Sequence, residues 1–123
     1  MEKKNILLVE DSHIIQLLIQ AILEDNEYNV EFVSDGKQAL EYLKKNKPDI
    51  LILDLMMPVM DGFKMLDRIE KPIPYPILVV TARSDFKSIG KAIELGASDY
   101  LIKPFNANNL LNKIERLLAP PLC

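Results

Sequence analysis

Five polar residues of the chain follow directly on four short apolar runs. Glu10 and Asp11 stand after the first run, Asp54 after the second, Thr81 after the third and Lys103 after the fourth. Three carboxylates, a hydroxyl and an ammonium can together bind a hard cation and neutralise the oxygens of a phosphoryl group. A polar residue after one apolar run is an ordinary loop start. The same complementary set after all four runs indicates a site.

These residue types favour acceptance of a phosphoryl group over hydrolysis. Three crowded carboxylates repel one another, so the pKa of at least one carboxyl would rise unless a cation offsets the repulsion. Mg²⁺ suits a site with few carboxylates and several retained waters, and Mn²⁺ is the second candidate. Beside such a cation Asp54 can attack phosphorus, while Lys103 and Thr81 stabilise the other phosphoryl oxygens. The set holds no spare base that would activate water.

The apolar runs are predicted to be strands. Each of the four is rich in β-branched or aromatic residues and too short for a core helix, which is typical of a strand buried on both faces. A fifth run interposes Glu31 between apolar residues and is predicted to be a half-exposed edge strand. The buried strands are residues 6–9, 50–53, 77–80 and 100–102, and the edge strand is residues 30–33.

Five helical segments alternate with these strands. Ser12 can cap the first helix through its hydroxyl, and the third must stop before the three prolines of residues 72–76. The second begins after Asp35-Gly36, the third near Gly62, and the fourth and fifth end at Gly96 and Pro120-Pro121. The apolar residues predicted to face the core are Ile14, Ile15, Leu18, Ile22 and Leu23; Ala39, Leu40 and Leu43; Phe63, Leu66 and Ile69; Phe86, Ile89 and Ile93; and Leu110, Leu111, Ile114, Leu117 and Leu118.

This alternation predicts an α/β domain with a parallel sheet and helices on both faces, joined by right-handed crossovers. Ligands of such sheets bind beyond the carboxyl ends of the strands. The five polar residues all follow strand ends, so we expect them to lie together at one edge of the sheet.

Length and composition restrict the function classes. The 123 residues suit one compact domain over residues 1–123, with 119–123 as a tail or the start of a linker. A net charge of −3 and a pI of about 5.2 argue against direct binding of nucleic acid by this domain. The single cysteine, Cys123, cannot form an internal disulfide, and no segment resembles a signal peptide or a membrane span. We therefore expect a cytoplasmic domain that does not bind membranes.

Four motifs give the chain a family resemblance. They are residues 7–11 (LLVED), 54–62 (DLMMPVMDG), 81–83 (TAR) and 96–105 (GASDYLIKPF). With these motifs in order and in register, the whole chain resembles a response-regulator receiver domain of two-component signalling. The resemblance implies a flavodoxin-like, doubly wound (βα)5 fold whose five-stranded parallel sheet has the strand order 2-1-3-4-5.

The resemblance also assigns roles in the pocket. It implies that Asp54 is the phosphorylated residue and that Glu10, Asp11 and Asp54 hold Mg²⁺. Met56 would add only its backbone carbonyl to the metal, and Lys103 would be the lysine of the pocket.

A switch is implied as well. Thr81 and Tyr100 match the coupled pair that moves on phosphorylation, and the Lys103–Pro104 bond would be cis. Movement of Tyr100 would repack the surface of the fourth helix, fifth strand and fifth helix and so signal to a partner or output domain. The donor would be a histidine kinase or a histidine phosphotransfer protein. The family allows a phosphorylation-dependent dimer, and the only catalysis expected is slow autodephosphorylation.

Three other functions compete with this one. An aspartate-nucleophile phosphatase has a second carboxylate two residues after its nucleophile, where this chain has Met56, which cannot transfer a proton. A flavodoxin-like cofactor binder would carry a Ser/Thr/Gly-rich loop after the first strand, where Glu10 and Asp11 would repel a phosphate. A receiver-like domain that is never phosphorylated stays open, although the complete set of pocket residues argues against it.

Overall fold

The polypeptide folds as five consecutive pairs of a strand and a helix. The structure, a computed structural model, describes residues 2–57 and 59–119. The strands are β1 (Asn5–Val9), β2 (Asn29–Val33), β3 (Ile50–Asp54), β4 (Ile77–Thr81) and β5 (Asp99–Ile102). The helices are α1 (His13–Asp25), α2 (Gly36–Lys45), α3 (Gly62–Arg68), α4 (Phe86–Glu94) and α5 (Ala107–Leu118).

All five strands pair in parallel in one sheet of order β2-β1-β3-β4-β5. The chain runs outward from β1 to β2 and then returns to add β3 on the other side of β1. The crevice at the carboxyl ends of β1 and β3 is therefore the topological switch point, where ligands of such sheets bind. Glu10 follows β1 and Asp54 ends β3. The predicted fold class and strand order are confirmed.

The strand side chains alternate between two apolar clusters, one on each face of the sheet. On one face, residues such as Leu7 and Leu53 pack with α2, α3 and α4 through Ala39, Leu66 and Ala92. On the other face, α1 and α5 cover the sheet through Ile19, Leu23, Leu110 and Ile114. The central strands β1, β3 and β4 are buried on both faces, as the apolar runs predict.

The helices begin at side-chain caps. The Ser12 hydroxyl accepts a hydrogen bond from the Ile15 amide at 3.3 Å, as expected, and Asp35, Asp61 and Asp85 cap α2, α3 and α4 in the same way. After α4 the chain turns at Gly96, whose φ of +124° favours glycine. The predicted stop of α5 at Pro120-Pro121 lies outside the described residues, as does Cys123.

The predicted core stripe of α1 is partly wrong. Ile14 is 76% exposed and Leu18 is also exposed, together with Leu17, whereas the polar Gln16 is buried. These three apolar residues form an exposed surface on α1, called the α1 patch below. The helix is rotated from the predicted setting because Gln16 finds hydrogen-bond partners inside, which a count of apolar spacings does not reveal.

The predicted stripe of α4 also faces largely outward. Phe86 is 94% exposed and Ile93 is exposed, while the small residues Ser88 and Ala92 are buried against the rest of the domain. An amphipathic pattern shows that a helix has an apolar side but not whether that side meets the core or solvent. We call Phe86 and Ile93 the α4 stripe.

The prediction that β5 is buried on both faces is also wrong. Tyr100 and Ile102 are only half-buried, because β5 is the outer strand of the sheet next to β4. The expected exposure of the other edge strand, β2, is confirmed. Among residues 2–57 and 59–119, no helix has the length and hydropathy to cross a bilayer.

Candidate functional site

Three carboxylates meet at the switch point of the sheet. One carboxylate oxygen of each of Glu10, Asp11 and Asp54 lies within 4.8 Å of the others. Glu10 and Asp54 are buried, and Asp11 is open to solvent. Asp54 is the last residue of β3, and Glu10 and Asp11 lie in the β1–α1 loop directly after β1.

One ammonium joins the carboxylates. Lys103 Nζ lies 3.0 Å from Glu10 Oε1 and 3.2 Å from Asp54 Oδ2. Partial burial acts to lower the pKa of Lys103, but the hydrogen bond to Glu10 and the charges of Asp54 and Glu10 outweigh it and raise the pKa. The lysine therefore stays charged and holds the two strand ends together.

The pocket carries more negative charge than Lys103 can neutralise. The pKa of Asp11 is raised, first by desolvation of its carboxyl and then by its contact with Glu10. The charge of Glu10 adds to this rise in the pKa of Asp11, as expected for crowded carboxylates, but desolvation is its largest cause. Three oxygen donors around a residual negative charge are the donor set that a hard divalent cation takes, so these residues fit Mg²⁺.

The loop after Asp54 is fixed by close packing. The Met56 amide donates to Asp54 Oδ1 at 3.0 Å, and the Gly62 amide donates to the Leu55 carbonyl oxygen at 3.0 Å. A Cβ on Gly62 would lie 2.7 Å from the Leu55 Cα, so only glycine lets α3 start this close to the loop. The Met56 side chain is exposed, and it cannot act as an acid because a thioether has no proton to donate.

Thr81 ends the strand beside Asp54. Asp54 pairs with Val80, so Thr81 lies one residue further toward the carboxyl edge. Its side chain is fully buried, and its hydroxyl oxygen accepts a hydrogen bond from the Arg83 amide at 3.0 Å. The predicted cis bond between Lys103 and Pro104 is present, and Lys71–Pro72 is also cis.

Tyr100 lies on the neighbouring strand and outside the acidic pocket. It pairs with Val79 on β4 and is half-buried against the cluster that α2, α3 and α4 cover. Lys113 on α5 has its ammonium 5.4 Å from the centre of the Tyr100 ring and 3.0 Å from Asp99 Oδ2. The ring is thus held from the α5 side by a cation.

Sequence reasoning missed Gln16. Its side chain is only 2% exposed, and Nε2 donates to the Glu10 carbonyl oxygen and, at 3.4 Å, to the Ser34 hydroxyl. This amide therefore ties α1 to the loop that carries Glu10 and to the loop after β2. A polar residue at a helix position flanked by apolar ones is the one signal in the sequence that could have revealed it.

We expect Gln16→Met to weaken Mg²⁺ binding about tenfold, in the range found for loss of groups that orient metal ligands. Methionine keeps the length of the side chain but cannot donate to the Glu10 carbonyl oxygen. Isothermal titration of the purified chain with MgCl₂ measures the change.

The control for this variant is Ile19→Ala, one turn along the same helix face. Ile19 is fully buried, so its truncation should lower the free energy of unfolding by about 2–5 kcal/mol while leaving Mg²⁺ affinity intact. A Gln16→Met chain that binds Mg²⁺ like the wild type would show that Gln16 only packs.

Comparison with known proteins agrees with this geometry. The family model of the response regulator receiver domain matches residues 6–115. The chain belongs to this family. As a receiver domain of two-component response regulators, it is a signalling module, and the phosphatase and cofactor-binding alternatives are set aside.

The amino-acid sequence of the receiver domain is similar to the sequences of several regulators. It is 36% identical over 118 residues to the probable transcriptional regulator ycf27 of Porphyridium aerugineum, covering 96% of this chain and 49% of the relative. It is 35% identical over 116 residues to the alkaline phosphatase synthesis transcriptional regulatory protein PhoP of Bacillus subtilis, covering 94% and 48%. The chain spans about half the length of the curated relatives it matches.

Solved receiver structures share the fold of the domain. The chemotaxis protein CheY4 of Vibrio cholerae superposes with a TM-score of 0.87 at 33% identity, over 94% of this chain and 99% of that one. The receiver domain of the sensor histidine kinase PA1611 of Pseudomonas aeruginosa superposes with a TM-score of 0.85 at 31% identity, over 94% and 98%. That structure has a magnesium ion coordinated in its active site cleft.

Proposed function

We propose that this receiver domain accepts a phosphoryl group on Asp54. The observation that carries the proposal is the contact of the Asp54 carboxylate with Lys103 Nζ at 3.2 Å inside a cluster of three carboxylates. Asp54 is the nucleophile, because it is the carboxylate at the end of a central strand with an adjacent ammonium to stabilise the transferred group. Met56 offers no proton for a following hydrolysis.

Mg²⁺ is the cation we propose for this pocket, with Mn²⁺ as a substitute. Glu10, Asp11 and Asp54 would hold it with their carboxylates, and Met56 with its backbone carbonyl. When bound, the ion neutralises charge on the transferring phosphoryl group. The domain's own residues do the rest: Asp54 supplies the attacking oxygen, and Lys103 balances negative charge on the product.

Phosphorylation then acts as a switch in our proposal. The Thr81 hydroxyl, which bonds the Arg83 amide in the resting pocket, turns to donate to a phosphoryl oxygen. Tyr100 moves toward the space that Thr81 leaves, and its contact with Lys113 breaks. This movement changes the surface that α4, β5 and α5 form together, called the α4–β5–α5 surface below. Moving this equilibrium from mostly inactive to mostly active requires roughly 5.5 kcal/mol.

The partners follow from this mechanism. A histidine kinase or a histidine phosphotransfer protein donates the phosphoryl group, and a partner or output domain reads the α4–β5–α5 surface, with a phosphorylation-dependent dimer as one form of output. The domain itself binds neither nucleic acid nor membranes. Its assignment to residues 1–123, with 119–123 as tail or linker, and its cytoplasmic location stay predictions.

The test is incubation of the chain with acetyl phosphate and MgCl₂, followed by intact mass spectrometry. We expect the mass to increase by one phosphoryl group, and the Asp54→Asn chain to gain none. Asn keeps the shape of the side chain but is not a nucleophile toward phosphorus. Asp61→Asn, which keeps the N-cap of α3, is the matched control and should still be phosphorylated. A gain that persists in Asp54→Asn would overturn the proposal.

The α1 patch lies beside the acceptor pocket, and we propose that the phosphodonor docks there. Helix α1 begins two residues after Asp11, and Ile14, Leu17 and Leu18 expose apolar surface at that end. An apolar patch on the rim of a reactive pocket is suited to a partner that must bring a phosphohistidine to Asp54.

Leu18→Ser is therefore expected to slow phosphotransfer from a histidine kinase roughly tenfold, the loss of about 1.4 kcal/mol of apolar burial at an interface. Transfer from acetyl phosphate should be unchanged, since that small donor makes no contact with α1. The rates of phosphoryl transfer from a histidine kinase that carries a radiolabelled phosphoryl group, and from acetyl phosphate, measure the two effects. Phe86→Ser, on α4, is the control, with an apolar residue that is more exposed than Leu18 (94% against 54%). Equal rates of transfer from the kinase to the wild type and to both variants would contradict docking on α1.

A further inference from the structure

A groove separates α2 from the segment that follows α3. It has a volume of about 650 Å³, within the roughly 300–1,000 Å³ typical of ligand pockets. None of the acidic pocket residues lines it. The cavity between β5 and α5 has about half this volume, 320 Å³. The larger of the two, which lies between α2 and the segment after α3, is called the α2–α3 groove below.

The floor of the groove is apolar. Leu40 and Leu43 from α2 line it together with Ile69, Pro72 and Tyr75 from the segment that follows α3. Most of these side chains are half-buried, so they form a sheltered surface rather than part of the closed core. Desolvation in this setting raises the pKa of the Tyr75 hydroxyl. An apolar body could replace the water over this floor with a gain in free energy.

Cations dominate the rim. Five Lys and Arg side chains and two Glu side chains line the groove, although the chain as a whole has a net charge of −3. Lys71 is engaged, since its ammonium donates to the carbonyl oxygens of Leu66 and Ile69 at 2.7 and 2.9 Å. The other four cations make no salt bridge to any residue that the structure describes. They are Lys37, Lys44, Lys47 and Arg68.

Helix ends explain only part of this charge. Lys44 and Arg68 stand in the last turns of α2 and α3, where a cation favours the helix dipole. Lys37 is in the first turn of α2 and Lys47 lies beyond its end, so the dipole does not account for them. Glu41 and Glu70 offset only part of this positive charge, and a bound anion would offset more of it.

We propose that the α2–α3 groove binds a small amphipathic anion, with an apolar body on the floor and a phosphate, sulfonate or carboxylate among the rim cations. Arg68 suits this role, because its planar guanidinium can bond two oxygens of one anion. Charge complementarity and a cavity of small-molecule size identify this occupant. The site is separate from Asp54 and does not depend on phosphorylation.

The test compares two fluorescent probes that share an apolar body. 8-Anilinonaphthalene-1-sulfonate carries the anion, and N-phenyl-1-naphthylamine has the same aromatic body without it. We expect the sulfonate to bind the full chain at least tenfold more tightly than the neutral probe, and the difference to shrink as NaCl is raised. Equal affinities for the two probes, or binding of neither, would overturn the proposal.

Variants locate the site. The double variant Lys44→Glu/Arg68→Glu should weaken sulfonate binding at least tenfold and leave the neutral probe unaffected. The control Lys87→Glu/Arg116→Glu makes the same charge change on exposed residues of α4 and α5 and should bind like the wild type. Equal loss in both double variants would mean that only net charge matters, which contradicts a specific groove.

Methionine methyl signals provide the last check, since Met60 lines the groove whereas Met56 is exposed outside it. In ¹³C-methyl spectra the sulfonate should shift the Met60 signal and leave Met56 in place. A shift of Met56 alone would put the probe elsewhere. A Met60 shift that follows protein concentration and not the probe would make the groove a contact between two copies, and the small-anion proposal would be wrong.

Discussion

In the Lys103→Met chain, phosphorylation by acetyl phosphate is expected to be roughly 100-fold slower than in the wild type, the usual cost of removing one donor that stabilises a transition state. Lys103 Nζ is in contact with both Asp54 and Glu10. Methionine keeps the length and the packing of the side chain and removes only the ammonium. Time courses of intact mass at saturating MgCl₂ measure the rate.

The same substitution should also lower stability in the absence of Mg²⁺. Two buried carboxylates lose their charged partner, at a cost on the order of 2 kcal/mol in the free energy of unfolding. The raised pKa of Lys103 fixes the pH range of this effect. A lysine with a raised pKa contributes stability that is complete below its unfolded pKa of about 10.4 and is lost as pH rises through the higher folded pKa. Urea unfolding of the two chains should therefore differ at pH 7 and converge in strong alkali.

Lys113→Met is the matched control, because Lys113 is a partly buried lysine that pairs with Asp99 at 3.0 Å on the far side of β5. It should lose some stability and keep the wild-type rate with acetyl phosphate. Identical rates for the Lys103 and Lys113 variants would contradict a role of Lys103 in the chemistry.

The second large effect is expected for Asp11→Asn, which should reduce Mg²⁺ affinity by more than about tenfold and yet make the metal-free chain more stable at pH 7. The affinity falls because a neutral amide replaces a charged ligand of a hard cation. The stability rises because the pKa of Asp11 is raised. A carboxyl with a raised pKa contributes its full stability below its unfolded pKa of about 3.9 and loses it as pH rises through the folded pKa, so at pH 7 the charged Asp11 is unfavourable.

Thermal unfolding with and without MgCl₂ measures both parts of this prediction. The wild type should gain stability from Mg²⁺, and Asp11→Asn should gain little. Asp49→Asn provides the same change of net charge at the opposite edge of the sheet, where Asp49 accepts from the Asn5 amide. A metal-free Asp11→Asn chain that unfolds below the wild type at pH 7 would contradict the electrostatic account.

The central strands and the pocket were predictable because two simple rules act on them. Strands buried on both faces are continuous apolar runs, and the carboxyl ends of parallel strands share one edge. Residues that follow such runs, as Glu10 and Asp54 do, must therefore approach one another. The 3.0–3.2 Å contacts of Lys103 are the geometric outcome of that register.

The helix faces were less predictable because burial depends on partners that the local sequence does not name. Gln16 is buried since the Glu10 carbonyl and Ser34 hydroxyl lie within its reach, and this contact turns Ile14 and Leu18 outward. On α4, the small Ser88 and Ala92 pack inward and Phe86 is left in solvent. Apolar periodicity gave the existence of both helices but not their rotation about the axis.

The α1 patch and the α4 stripe belong to helices on opposite faces of the sheet, since α1 covers the cluster around Ile6 and α4 covers the cluster around Leu7. A protein that contacts only the α1 patch and a protein that contacts only the α4 stripe approach the domain from opposite faces of the sheet. An incoming donor and an outgoing reader could therefore occupy a single copy at once. The order in which they arrive and leave is then free to be set by their own affinities rather than by competition for space.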